Sequence, residues 1–255
     1  MNRFRNIFLI FAAIVLLSHY SCDDGRIDEA EYQPDTSGRV MKMNAVISGM
    51  ETWPKGYSVV LAGFAEGNEY AAITKPLPYS LNDNKPAEMV MSGIPSNVTK
   101  LRLCVVNRLR ELVYSYYEIE TQGNERDTII MDAGKQQVGM YNAIQKKVFE
   151  SEEYTCIRCH GLNADKPNGL AGGINLSAGK SYDCLVGKKS NVAGGDTLIV
   201  NKNDAASSTL YLILGTEYGE KLKYNHTNIL INSYADLAII EEWINNGAKK
   251  DSEED

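Results

Sequence analysis

Cys156-Ile157-Arg158-Cys159-His160 is the stretch on which the reading of this chain turns. Two cysteines separated by two residues, with histidine directly after the second, have the spacing at which c-type haem is attached. The spacing has a physical basis. The two vinyl groups of haem lie on one edge of the macrocycle, and two intervening residues let the backbone turn so that both thiols face that edge. The histidine that follows then lies under the iron as proximal ligand. The same cysteine pair also occurs in zinc sites and in redox-active dithiols. A thioredoxin-like dithiol needs a strand-to-helix junction, whereas here a helical pattern precedes the motif and a glycine-rich stretch follows it. A zinc site would recruit Cys184 and His226 to join Cys156 and Cys159.

Upstream, Val138, Tyr141, Ile144, Val148 and Phe149 recur at three- or four-residue intervals. This period predicts a helix from Gln136 with one apolar face and with Gln145, Lys146 and Lys147 on its polar side. Downstream, no methionine occurs after Met140, and the chain holds three histidines, His19, His160 and His226. His226 lies in the loop Lys221–Asn228, shortly before the last predicted helix, and is the expected distal ligand of the iron. Left open are an exposed loop role for His226 and an iron that is five-coordinate or bound by Lys221, Lys223, Tyr224 or water. The last helix opens with Ser233-Tyr234-Ala235-Asp236, which reads as a capping box. It continues with an apolar stripe of Leu237, Ile240, Trp243 and Ile244, and stops at Gly247. Residues 251–255 read as a solvated acidic tail.

Before residue 136 the period is two. Val40–Ser48, Tyr57–Phe64, Glu69–Ile73, Glu88–Met91, Lys100–Asn107, Glu111–Glu120 and Asp127–Met131 are short runs rich in β-branched residues, leucine and tyrosine, separated by turn clusters. Strands of this number and length over residues 38–135 predict an all-β antiparallel sandwich of immunoglobulin-like type. Arg108-Leu109-Arg110 reads as a hairpin connection. Tyr114, Tyr116 and Tyr117 read as half-buried sheet residues in preference to a ligand platform.

At the N-terminus, Arg3 and Arg5 precede an apolar run from Ile7 to Leu17 that is too short to cross a bilayer as a helix. This is the pattern of an export signal over residues 1–21. Cys22 directly after it resembles the lipidated cysteine of bacterial lipoproteins, although His19 stands where such sites carry leucine. Residues 22–37 read as a flexible tether, and the protein is expected to be exported and membrane-anchored, periplasmic or at the cell surface. Once Cys22 is set aside, Cys104 and Cys184 remain beside the motif, as a disulfide or as thiols. The formal net charge of -7 gives no basic footprint for nucleic acid. No acid–base pair or nucleophile stands in a catalytic context, so no enzyme activity and no small-molecule substrate is inferred.

Phe149, Cys156–Gly161, Gly172-Gly173-Ile174-Asn175-Leu176, Ser207-Ser208-Thr209-Leu210-Tyr211 and Glu242–Ala248 together resemble the class I monohaem cytochrome c domains of exported bacterial proteins. The resemblance covers residues 136–250 and implies a mainly α cytochrome c fold in which the first and last helices cross. It implies one haem c on Cys156 and Cys159, with His160 on the iron; the sequence departs from the family in lacking the usual distal methionine, and His226 lies where that residue would be expected. The function it implies is electron transfer with a redox partner protein at a membrane. The alternatives are a haem-based sensor in which the β domain binds a partner, and a zinc-bearing structural lipoprotein.

Overall fold

The computed structural model describes residues 38–81, 85–121, 128–161, 170–192, 196–227, 229–230 and 233–251. The expected signal (1–21), the tether (22–37), Cys22 and the tail beyond Asp251 lie outside these residues.

Seven strands form two sheets. Strands β1 (Arg39–Ser48), β2 (Tyr57–Ala65), β3 (Ile73–Pro76), β4 (Pro86–Ile94), β5 (Val98–Asn107), β6 (Leu112–Glu120) and β7 (Thr128–Gln137) are ordered β4-β1-β7 and β3-β2-β5-β6. Alternation explains the first sheet. In β1, Met41, Met43, Ala45 and Ile47 face inward, while Lys42 and Asn44 face out. The inward residues meet Met89 and Met91 of β4, Met131 of β7, and Leu61, Leu101 and Leu103 of the second sheet. Strand β2 reads as a nearly unbroken apolar run, and β5 does so from Leu103 to Val106, because both faces are covered there. Val60, Ala62, Phe64, Cys104 and Val106 form a second, smaller cluster with Ala71 on the far side. The Arg108–Arg110 connection turns through Arg110 at φ 62, with Arg110 N–H donating to Asn107 O.

The strands differ from the expected pattern at three points. The run Glu69–Ile73 contributes only an isolated bridge, Tyr70 to Glu111, and the strand itself is displaced to Ile73–Pro76. The sandwich is not wholly antiparallel, because β1 and β7 pair in parallel. Strand β7 also continues to Gln137, across the expected domain boundary. Its register shifts between Asn44 and Ala45 of β1, at Gly134 with φ 63. This is a bulge that lets Lys135–Gln137 go on pairing.

The division into an antiparallel β domain (38–135) and a mainly α cytochrome c domain (136–250) is therefore corrected: Thr36–Asp255 is one compact, β-rich unit. The helices after β7 are α1 (Met140–Ile144), α2 (Cys156–His160), α3 (Ser181–Leu185), α4 (Thr209–Gly215) and α5 (Tyr234–Asn245). Only α5, with 12 residues, exceeds two turns. The joint between the two parts is a packed one. Trp53 and Val113 pack against both the sheet core and the helical core. The Trp53 indole N–H donates to Val138 O at 2.7 Å, and Met140 N–H donates to the Thr52 hydroxyl at 2.7 Å.

The expected helix from Gln136 begins instead at Met140, since β7 claims the residues before it. From Gln145 to Phe149 it widens to a turn closed by Glu150 N–H on Gln145 O, a five-residue reach. Such widened turns gather at functional sites. Gln145 is buried, not on a polar face; its amide donates to Glu150 and to Leu176 O and accepts from Ser181. Helix α1 packs on α5 through Tyr141 and Trp243, whose ring centres are 4.9 Å apart. Helix α5 ends as expected: Gly247 adopts φ 93, and Ala248 N–H returns to Trp243 O at 2.9 Å.

Candidate functional site

Helix α2 is a single turn, and spacing alone arranges it. Cys156, Cys159 and His160 stand at i, i+3 and i+4, which is one face of a helix. Those three are half-buried, while Ile157 and Arg158 between them are exposed. The chain enters α2 through Thr155, whose φ 53 and ψ 28 are left-handed. For a β-branched residue that conformation costs about 1–2 kcal/mol, and strain of this kind collects at functional sites. The exit is equally constrained. At Gly161 a Cβ would stand 2.3 Å from Ile157 O, so only glycine fits there. Leu176 N–H then donates to His160 O at 2.6 Å, tying the later loop to the motif.

Burial pushes the Cys156 thiol up to about 11, with Cys159 adding to the rise. It is a neutral thiol at pH 7, which argues against a reactive dithiol of the thioredoxin kind. Its sulfur lies 3.6 Å from Val148 O.

His226 lies beside the motif. Its ring centre is 6.2 Å from that of His160, with the planes inclined by 53°. The loop that carries it is fastened from several sides. His226 N–H reaches Gly219 O, the Thr227 hydroxyl donates to Thr216 O at 2.8 Å, and Ile229 N–H returns to His226 O. His226 Nδ1 lies 2.8 Å from Tyr224 O. A carbonyl only accepts, so Nδ1 is the donor here, and Nε2 is the ring nitrogen left for a metal. Lys221, Lys223 and Tyr224, the other loop residues considered for the iron, are exposed. Met41, Met43, Met50, Met89, Met91, Met131 and Met140 are all buried in the two cores.

Two readings are corrected, and the pairing left open for the cysteines is decided. Among the described residues no group of three or more His, Cys, Asp or Glu is placed to hold a metal ion. The Cys156–Cys159–Cys184–His226 zinc site is therefore not assembled. No disulfide joins Cys104, Cys156, Cys159 or Cys184. The resemblance to a class I cytochrome c domain behind an immunoglobulin-like domain is not upheld either. It fails on the β-rich single unit with its short helices and on the absence of a metal-binding group among the described residues.

The sequence reading missed one cluster. Asp236 does not complete a capping box, because Ser233 makes no side-chain cap to α5. The Asp236 carboxylate, 3% exposed, turns inward instead. It accepts from the Tyr154 hydroxyl at 2.5 Å and pairs with Lys147 at 2.6 Å. Burial and this bond push the Tyr154 phenol up to about 12. The signal for it in the sequence was an apolar-side tyrosine two residues before Cys156, which has no meaning until α5 is placed against it.

No family model matches the chain, and no curated protein matches it.

Proposed function

We propose that this chain is an exported, lipid-anchored electron-transfer protein that carries one c-type haem on Cys156 and Cys159, with His160 and His226 as axial ligands. The observation that carries the reading is the imidazole pair. Two imidazoles that face one metal through bonds of about 2 Å have ring centres about 6 Å apart. The spacing of 6.2 Å between His160 and His226 is of that size. Attachment by this motif needs two thiols and a histidine on one helical face, and does not depend on a cytochrome c scaffold.

Residues that fit the group can be named individually. Cys156 and Cys159 would hold it: each S–H adds across a vinyl C=C, sulfur bonding one carbon and hydrogen the other, with nothing released. His160 presents its ring from the same turn. His226 donates from Nδ1 to the Tyr224 carbonyl, which leaves Nε2 for the metal. Bound there, haem supplies a one-electron Fe(III)/Fe(II) couple. Histidine in the place of methionine sets that couple lower than in a His/Met site. The anchor at Cys22 would keep the protein at a membrane surface, where a redox partner protein docks.

The test is haem retention. The protein, made in a host with c-type haem maturation, should keep its haem through denaturation, and Cys156→Ser with Cys159→Ser should abolish this. A protein that yields no covalent haem refutes the assignment.

A further inference from the structure

One buried hydrogen bond joins the two segments that carry the paired imidazoles. Tyr154 precedes His160 by six residues, and the intervening chain has little slack. Thr155 is left-handed, Arg158 N–H donates back to Thr155 O at 3.0 Å, and the remainder is the single turn α2. Asp236 follows His226 by ten residues, and three backbone bonds are made along the way. Ile229 N–H meets His226 O, Ser233 N–H meets Leu230 O, and Asp236 N–H meets Ser233 O. Tyr154 and Asp236 are thus the ends of two arms, one behind each histidine, and their side chains bond at 2.5 Å. Lys147 closes the corner from the widened turn that also places Val148 O against Cys156 Sγ.

We infer that Tyr154, Asp236 and Lys147 form a clamp that sets the separation of His160 and His226, and so decides whether the iron keeps both imidazoles. The inference rests on the haem reading above and deepens it. The three are positioning residues, since none of them reaches the haem ligands directly. The argument is one of stiffness. A carboxylate nearly sealed from water, holding a phenol and an ammonium at once, is not readily hydrated in their place. With the clamp intact the two arms are fixed relative to each other. With it broken, the His226 loop keeps its bonds to Gly219 O and Thr216 O but loses this tie to the segment behind His160.

The experiment compares the intact exported protein with Tyr154→Phe and Asp236→Asn. Tyr154→Phe keeps the ring and its packing, so it carries the test if Asp236→Asn fails to fold. Covalent haem is measured after denaturation, and spin state and carbon monoxide binding are measured on the reduced protein. Both variants are expected to keep covalent haem but to shift His226 toward the dissociated state by about tenfold or more, the range for a lost hydrogen bond to a charged group. That shift reads as a high-spin fraction that binds carbon monoxide, and added free imidazole should restore the low-spin spectrum. Tyr182→Phe, which loses a hydroxyl bond to Ala248 O instead, should leave the spectrum unchanged. Variants that stay low-spin and resist carbon monoxide like the unaltered protein overturn the clamp while leaving the haem assignment standing. An unaltered protein without covalent haem overturns both.

Discussion

Replacing Asp251 with asparagine is expected to erase a pH dependence that one buried carboxylate imposes on the whole unit. Asp251 was expected in a solvated tail, yet it folds back onto the start of α1. Its oxygens accept from Tyr141 N–H at 3.3 Å and Asn142 N–H at 2.5 Å. Burial, with repulsion from Glu51 adding to it, pushes the carboxyl from the ordinary 3.8 up to about 6, against the lowering by these two N–H groups and the Thr52 hydroxyl. At roughly 1.4 kcal/mol per pKa unit, the displacement corresponds to about 3 kcal/mol. A raised pKa means that the folded chain holds a proton that the unfolded chain gives up. The contribution is therefore complete below about pH 4 and is lost as pH rises through about 6. Urea unfolding of both proteins at steps from about pH 4 to about pH 7 measures it. The native protein should lose most of this, about 2 kcal/mol, relative to the variant across that window. Asparagine does not titrate, so any misfit of its amide against the two N–H groups is a constant offset and drops out of the slope. Parallel stability curves for the two proteins would refute the reasoning.

Thr155→Gly should raise stability by about 1 kcal/mol by relieving the left-handed strain, read as a higher urea midpoint with covalent haem unchanged. Gly161→Ala should reduce haem incorporation, because the added Cβ meets Ile157 O at 2.3 Å and the turn must open; the yield of covalent haem reports it. Trp53→Ala should cost about 2–4 kcal/mol for a partly buried indole and its hydrogen bond, with sheet and helical signals lost in one transition. Residues 136–251 expressed alone should fail to fold, since they lack Thr52 and Trp53; rapid limited proteolysis would show this, and a protease-resistant fragment would contradict it.

Local chemistry was legible in the sequence where it depends on residues close together. The alternation in β1, the hairpin at Arg108–Arg110 and the left-handed stop at Gly247 each follow from a few neighbouring side chains. So does the shared face of Cys156, Cys159 and His160, which is fixed by helical spacing. What failed depends on distant partners. Strand β7 ran past its expected end because β1 offered it parallel pairing as far as Gln137. Asp236 fits a capping box in the sequence, yet a buried phenol and an ammonium outbid the backbone for its carboxylate. Gln145 fits a polar helix face, yet Ser181 and Leu176 O surround it. In each case a polar group took a tertiary partner that no window of neighbouring residues contains. The two-domain division failed for the same reason, since Trp53 lies 85 residues from the carbonyl it bonds.

On the haem reading proposed above, the restraint on the two histidines also bears on whether a carrier or a sensor suits this scaffold. A gas sensor needs a distal ligand that lets go, or an open position. An electron carrier gains from ligands that stay in place in both oxidation states, since movement of the ligands on each transfer adds to the barrier. Here both histidines are held at the backbone, and His226 also at its ring, by bonds that do not involve a metal. His160 is tied by Leu176 N–H on its carbonyl and by the constrained entry through Thr155. His226 is tied by the Tyr224 carbonyl at its ring and by the bonds of Thr227 beside it. Supporting bonds of this kind fix a ligand's orientation in advance. A distal residue built to dissociate would be expected on a loop without such ties. On the haem reading proposed above, these ties favour a six-coordinate, low-potential carrier over a sensor, and carbon monoxide that bound the reduced, unaltered protein readily would reverse that preference.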